Sequence, residues 1–293
     1  MSKNIFSLIC AVLTSILWGS AFVAQDMGMD FIGPHTFNVG RFLVGFLTLL
    51  PFFLLFELKK INKKKIFSYL IFLGFILGVG QALQQVSLIY TDVANTGVFT
   101  VMYVLIVPFI SYFIFSKKIH WSVWPAVIFC VIGGLLLSEL KDVSVRYGDA
   151  LGVLSAFCWA LHIIYISKTI KFFNFPVTIA MSQCLVAFLF TTFPMVAFEN
   201  PTFINIIKDG YEILYVGIFS SGLAFLLQTY TLQNLTPAPA AIIFSLEGVF
   251  AAIFAWLILD QFLNEMKILG IFLILFAVIF SQITPIYDKK KYE

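Results

Sequence analysis

Charge is what this sequence has least of. Asp, Glu, Lys and Arg make up only 11% of its 293 residues, where a soluble domain carries about 25%. That shortage excludes a water-soluble globular fold of ordinary composition, and the 61% of hydrophobic residues point to a chain that spends most of its length in lipid. Cysteine is scarce and scattered. Cys10, Cys130, Cys158 and Cys184 stand singly, with no CxxC or metal-ligand spacing, so no disulfide, redox motif or metal site is expected. There is no phosphate-binding P-loop, no HExxH and no GxS with a histidine partner, which argues against ATP hydrolysis by this chain and against an intramembrane enzyme. No catalytic residue, cofactor or nucleic-acid contact is expected.

What is present is a series of apolar runs, each near the length of about 20 residues that spans a bilayer as a helix. Ten can be read, near 6–24, 36–56, 67–90, 94–116, 121–138, 149–167, 176–198, 211–233, 237–259 and 267–284. The 35 Phe read as lipid-facing and packing residues. Residues 1–24 also carry features of a secretory signal, with Lys3, an apolar core, Ala21 and Ala24. Cleavage there would leave nine spans and break the repeat described below.

The few charges are sorted by side. Lys3, the group Lys59, Lys60, Lys63, Lys64 and Lys65, the pairs Lys117 with Lys118 and Lys168 with Lys171, and Lys289–Lys291 fall on one side, 13 of the 18 cations. Lys141, Arg146, Lys208 and Lys267 fall on the other, and Arg41 lies inside a span. Basic loops stay in the cytoplasm, so both termini are expected inside and the segment Asp26–Asp30 outside.

The second half repeats the first. LTSILWG (Leu13–Gly19) matches LSAFCWA (Leu154–Ala160), placing Trp18 on Trp159 at an offset of 141. Pro34 falls on Pro176 and Glu57 on Glu199 at 142, and Gln85 falls on Gln228 at 143, where Gly74xxxGly78 meets Gly217xxxSer221. So slow a drift marks a true internal repeat, with units at 1–146 and 147–293. Five helices per unit is an odd number, so the second unit enters the membrane from the opposite side. The expected fold is therefore all-α and polytopic, ten transmembrane helices in two inverted five-helix repeats. Such halves exchange conformations and open one midplane site alternately to either side. The small-xxx-small pairs suit close helix packing.

Four segments carry a resemblance: LTSILWGSAF, PHTFNVGRFLVG, ANTGVFTVMYVLIVPF and SLEGVFAAIFAWLILDQ. Together, over nearly the whole chain, they resemble the drug/metabolite transporter superfamily, in particular its EamA-type ten-helix members. The resemblance implies a central cavity lined by both repeats and transport of small organic molecules such as amino acids, other metabolites or drugs, often outward. The sequence departs from the family pattern at Gly248, where Pro often follows the glutamate, at Asp260, where Glu often closes that helix, and at Lys117 and Lys118, where the first half lacks the acidic ending.

Polar residues at membrane depth are candidate site residues by default. Arg41 and Glu247 are the two clearly intramembrane charges, of opposite sign. They lock helices together, either as a mutual ion pair or by separate pairing with backbone carbonyls and amides, or at least one binds solute, and Glu247 is also a candidate proton carrier. A guanidinium keeps its charge, so Arg41 can hold a carboxylate but not shuttle protons. Gln81, Gln84 and Gln85 share one helix face at i, i+3, i+4 spacing, and three amides facing lipid would be costly, so that face points inward. Gln228 is related to Gln85 by the repeat. Thr96, Thr100 and Tyr103 form a further stripe with Asn95 beside it; Trp159 and His162 stand three apart on another span, with His162 a second proton-coupling candidate. The expected solute-binding set is thus Trp18, Arg41, Gln81, Gln85, Tyr103, Trp159, His162, Gln228 and Glu247. The leading reading is a secondary transporter of a small organic solute in a prokaryotic cytoplasmic membrane, working by alternating access as an exporter. An importer or facilitator of a planar metabolite or vitamin is the alternative. Solute and bilayer are the expected partners, proton coupling is possible in principle, and oligomeric state is open.

Overall fold

The computed structural model describes residues 3–58, 66–91, 93–116, 118–137, 147–260 and 262–292. The basic loop at 59–65, Lys117 and the junction between the repeats at 138–146, with Lys141 and Arg146, lie outside the described residues, as do the side chains of Asn95 and of Lys289–Lys291.

The described residues fold into α1 (Asn4–Met27), α2 (Pro34–Phe56), α3 (Ile66–Tyr90), α4 (Thr96–Ile114), α5 (Val123–Leu137), α6 (Tyr147–Phe173), α7 (Pro176–Phe198), α8 (Gly210–Asn234), α9 (Pro237–Leu259) and α10 (Glu265–Pro285). All but the shorter α5 are long and apolar enough to cross a membrane. Helix starts follow local chemistry: Pro34, Pro176 and Pro237 each open a helix, where the missing N–H costs nothing and φ is already set. Two helix ends match across the repeats. Ser116 (φ 50°) follows α4 and Asp260 (φ 51°) closes α9, both in the left-handed conformation. Many large apolar side chains, among them Phe56, Phe113, Phe193 and Phe198, are exposed, as a lipid-facing belt requires.

The two halves lock together through a reciprocal pair of carboxylates. Glu57, at the end of α2, accepts from the backbone N–H groups of Val177 and Thr178 at 3.1 and 2.7 Å and from the Thr178 hydroxyl at 2.6 Å. Glu199, at the end of α7, does the same for α2, accepting from the His35 and Thr36 N–H groups at 2.8 Å each and from the Thr36 hydroxyl at 2.5 Å. A carboxylate at a helix N-terminus satisfies orphan donors and complements the helix dipole. Each helix end can cap the other's start only if α2 and α7 lie side by side and antiparallel. They therefore define two faces of the bundle, a Glu57 face and a Glu199 face.

The same operation relates the other seams. α5 packs along α10, and a side chain on Gly133 or on Gly270 would collide with the backbone carbonyl of the other glycine. α3 packs on α7 through Gly74 against Val186, and α8 packs on α2 through Gly217 against Val44. The glycines of the small-xxx-small pairs thus sit where atoms of a neighbouring helix already occupy the place of a Cβ.

Candidate functional site

α4 and α9 are both interrupted in mid-membrane, at Met102 and Ser245, which stand 143 residues apart. At each break the backbone tightens, with Leu105 N–H donating to Met102 O at 3.0 Å and Gly248 N–H to Ser245 O at 3.2 Å. The Ser245 hydroxyl donates back to Ile242 O at 2.6 Å, a side-chain bond that competes with the helical ladder and bends it. Tyr103 and Glu247 follow directly after these breaks, and the Tyr103 hydroxyl donates to Glu247 Oε1 at 3.0 Å. Both residues keep right-handed helical dihedrals, φ −56°, ψ −12° at Met102 and φ −61°, ψ −14° at Ser245, so each is a tightened turn within one span. Glu247 stands two residues past the tightened turn of α9.

Arg41 is fully buried at the other wall. Its Nε donates to Ser221 Oγ at 2.9 Å, one terminal nitrogen to Ser220 Oγ at 2.9 Å and the other to Gln25 Oε1 at 2.5 Å. Both serines lie in a π-helical stretch of α8, Val216–Ala224, whose wider turn presents adjacent hydroxyls to one guanidinium; such segments often occur at functional sites. Burying a cation costs several kcal/mol even after relaxation, and hydrogen bonds to a charged group, each contributing about 1.5–3 kcal/mol, offset much of that. A guanidinium has five N–H donors, and three are used here, so two remain for a ligand. The cradle continues as an amide relay. Gln81 Nε2 donates to Gln25 Oε1 at 3.0 Å and to Gln84 Oε1 at 2.9 Å, and Gln84 Nε2 donates to Thr100 Oγ1 at 3.2 Å.

Arg41 and Glu247 line one central cavity with Trp18, Trp159, Phe225 and Gln81. Among the described residues they are not bonded to each other: Arg41 is held by hydroxyls and an amide, Glu247 by Tyr103. Its rings form a layer, with Trp18 and Trp159 centroids 5.9 Å apart and Phe225 5.7 Å from Trp18. The cavity measures about 20 Å³, room for about one water.

Of the residues expected from sequence, Trp18, Arg41, Gln81, Tyr103, Trp159 and Glu247 reach this cavity. Gln85 instead donates to Gln25 O at 3.3 Å and to Met29 Sδ at 3.2 Å. His162 and Gln228 are buried and do not line the cavity, with His162 packed against the Trp159 and Phe225 rings and its Nε2 2.9 Å from Gln183 Oε1. Thr96 bonds to Ser87 at 3.0 Å, a packing contact between helices. Three partners escaped the sequence reading. Gln25 lies one residue past the expected end of the first apolar run, yet it stands at i+7 from Trp18 and on the same face; α1 in fact continues to Met27. Ser220 and Gln183 are unremarkable in sequence, and nothing there signals a π-helical turn.

A ten-helix bundle built on an inverted repeat, with a polar cavity at two helix breaks, has the architecture of a membrane transporter. The model of the EamA-like transporter family matches residues 5–139 and again 146–282, and the chain belongs to that family. It is similar to an uncharacterized transporter of Archaeoglobus fulgidus, 29% identical over 281 residues that cover 94% of this chain and 86% of that protein. It is also similar to the uncharacterized transporter YoaV of Bacillus subtilis, 23% identical over 282 residues covering 93% and 95% of the two chains. A solved crystal structure aligns at a TM-score of 0.79 and 12% identity, covering 96% of this chain and 99% of that one, which shows the shared fold. The protein is a multi-pass transporter and not an enzyme.

Proposed function

We propose that this transporter carries a small zwitterionic organic solute with a flat or aromatic body, an amino acid or a metabolite of similar chemistry, outward across a prokaryotic cytoplasmic membrane. The observation that supports it is the pair of opposite charges lining one cavity, Arg41 and Glu247, each anchored by its own partners and not by the other. Two spare guanidinium donors match a carboxylate in fork geometry, the Glu247 carboxylate matches an ammonium, and the faces of Trp18, Trp159 and Phe225 match a planar body. The Glu57 face is the cytoplasmic one on this reading, because Lys118, Lys168 and Lys171 lie toward it.

Transport works by alternating access. Ligand pockets commonly hold about 300–1,000 Å³, far above the roughly 20 Å³ of the central cavity, so helices must part to admit a solute. The self-paired seams α2 with α7 and α5 with α10 serve as the fixed frame. Helices α1, α3 and α4 with α6, α8 and α9 rock against it, while α2 presents Arg41 to the cavity from the frame. A facilitator of a planar neutral metabolite is the second reading, favoured by the aromatic layer and the amide relay beside it. Purified protein screened for solutes that raise its melting temperature, followed by uptake into liposomes with and without a pH gradient, separates the two. The zwitterion reading predicts stabilisation by amino acids; stabilisation by neutral planar solutes alone contradicts it.

A further inference from the structure

The aromatic layer has two sides, and each holds buried polar atoms without a partner among the described residues: Asn38 Oδ1 and Gln85 Oε1 on the Arg41 side, and four atoms of three side chains on the other. Trp18 and Trp159, 141 residues apart, meet across the pseudo-two-fold axis. Toward the Glu199 face lies the Arg41 cradle. Toward the Glu57 face the repeat puts Gln183 in the place of Arg41, at an offset of 142, and Gln228 in the place of Gln85, at 143. His162 joins them, one turn of α6 beyond Trp159. Its ring packs edge-on against Trp159 and Phe225, centroids 5.7 and 6.0 Å away, so the two rings that line the central cavity are also the roof over His162. Gln228 lies one turn of α8 beyond Phe225, on a helix that packs against both α6 and α7.

All three side chains are 0% exposed. Yet His162 Nδ1, Gln183 Nε2 and both amide atoms of Gln228 have no hydrogen-bond partner among the described residues. Buried polar groups are partnered in at least about 90% of cases, and exceptions call for an explanation. Leucine or alanine would fill this place with no such penalty. Four unmet groups from three helices, with His162 against the Trp159 and Phe225 rings and Gln183 at the repeat position of Arg41, are what a site needs when its ligand arrives only in another conformation.

We propose that His162, Gln183 and Gln228 form a second, uncharged solute subsite on the Glu57 side of the aromatic layer, taking the solute's oxygen and N–H groups when that side opens. The inference rests on the central cavity being the solute route. Amides offer donors and acceptors without fixed charge, so this subsite holds a zwitterion less tightly than the Arg41 cradle and suits its entry or release at the Glu57 face.

The test uses the full chain in a cysteine-free background, reconstituted in liposomes, with His162→Cys, Gln183→Cys or Gln228→Cys and a membrane-impermeant methanethiosulfonate as probe. Asn174→Cys and Asn200→Cys, in exposed turns, report the Glu57 and Glu199 faces. The expected result is labelling of the three cysteine positions from the Glu57 face and none from the Glu199 face, in protein that elutes as a single species. No labelling from either face while both controls react, or equal labelling from both faces, overturns the proposal. Three separate positions guard against one misfolded variant. The probe needs no solute, so a wild type that binds no zwitterion sinks the reading of the central cavity alone, whereas normal zwitterion binding with unreactive cysteines at the three positions sinks the subsite alone.

Discussion

At the membrane faces the two repeats do the same thing twice; at the centre they do not. Glu57 caps α7 and Glu199 caps α2 with three equivalent donors each, and α5 packs along α10, its counterpart in the other repeat. The offset of 142 that relates Glu57 to Glu199 also relates Arg41 to Gln183, and there the chemistry diverges: a charged side chain held by three bonds on one side, a neutral amide with an unmet N–H group on the other. The difference separates two requirements. A frame that lets one half adopt the other's conformation must be symmetric in what holds it. The centre has to recognise one solute, which has different ends, so its two sides are free to differ.

That comparison can be broken at several points. The largest effect is expected at Arg41: Arg41→Leu removes three charge-assisted bonds and leaves the Ser220 and Ser221 hydroxyls without this partner. It should lower stability by about 3 kcal/mol and abolish zwitterion binding, read by thermal melting in detergent and by solute titration. Glu57→Gln and Glu199→Gln should each cost about 1–2 kcal/mol. The two values should agree within about 0.5 kcal/mol if the frame is symmetric; a clearly unequal pair would break the symmetry argument. Gln228→Leu should raise stability by about 1 kcal/mol, because it deletes an amide with no partner. Tyr103→Phe, which loses one hydrogen bond to Glu247, should cost about 1 kcal/mol or less. In the Arg41→Gln, Glu247→Gln cycle the two losses should add within about 0.5 kcal/mol, since the two residues hold separate partners. Rescue in the double variant would reveal an ion pair.

Much of the frame was legible in the sequence because it depends on period and offset. Apolar runs of membrane length follow from one requirement, that backbone polar groups in lipid be satisfied within helices, and the repeat shows as offsets of 141 to 143. The glycine and small-residue matches located true contacts for the same reason, since a missing side chain is visible in sequence. The site was legible in part. Intramembrane charge singled out Arg41 and Glu247, but whether they pair depends on rotamers and on two helix breaks, and neither break is marked by proline at its own position. Gln25 was missed because the apolar run ends one residue before it, and an amphipathic side chain at a helix end reads as loop. Ser220 was missed because a π-helical turn shifts the helical phase that spacing arguments assume. His162 and Gln228 are expected in the cavity from sequence, and neither lines it: His162 packs against the Trp159 and Phe225 rings and Gln228 is buried elsewhere on α8.

The most direct test of the central claim is a thermal-shift titration of the purified transporter with an aromatic amino acid, its N-acetyl derivative and its methyl ester. The derivatives remove the cation and the anion respectively and leave the planar body intact. If Arg41 and Glu247 hold the two ends of one zwitterion, the parent amino acid raises the melting temperature and each derivative binds at least about tenfold more weakly, a loss of about 1.4 kcal/mol per missing charge. Equal stabilisation by all three compounds, or an undiminished response in Arg41→Gln, would contradict it.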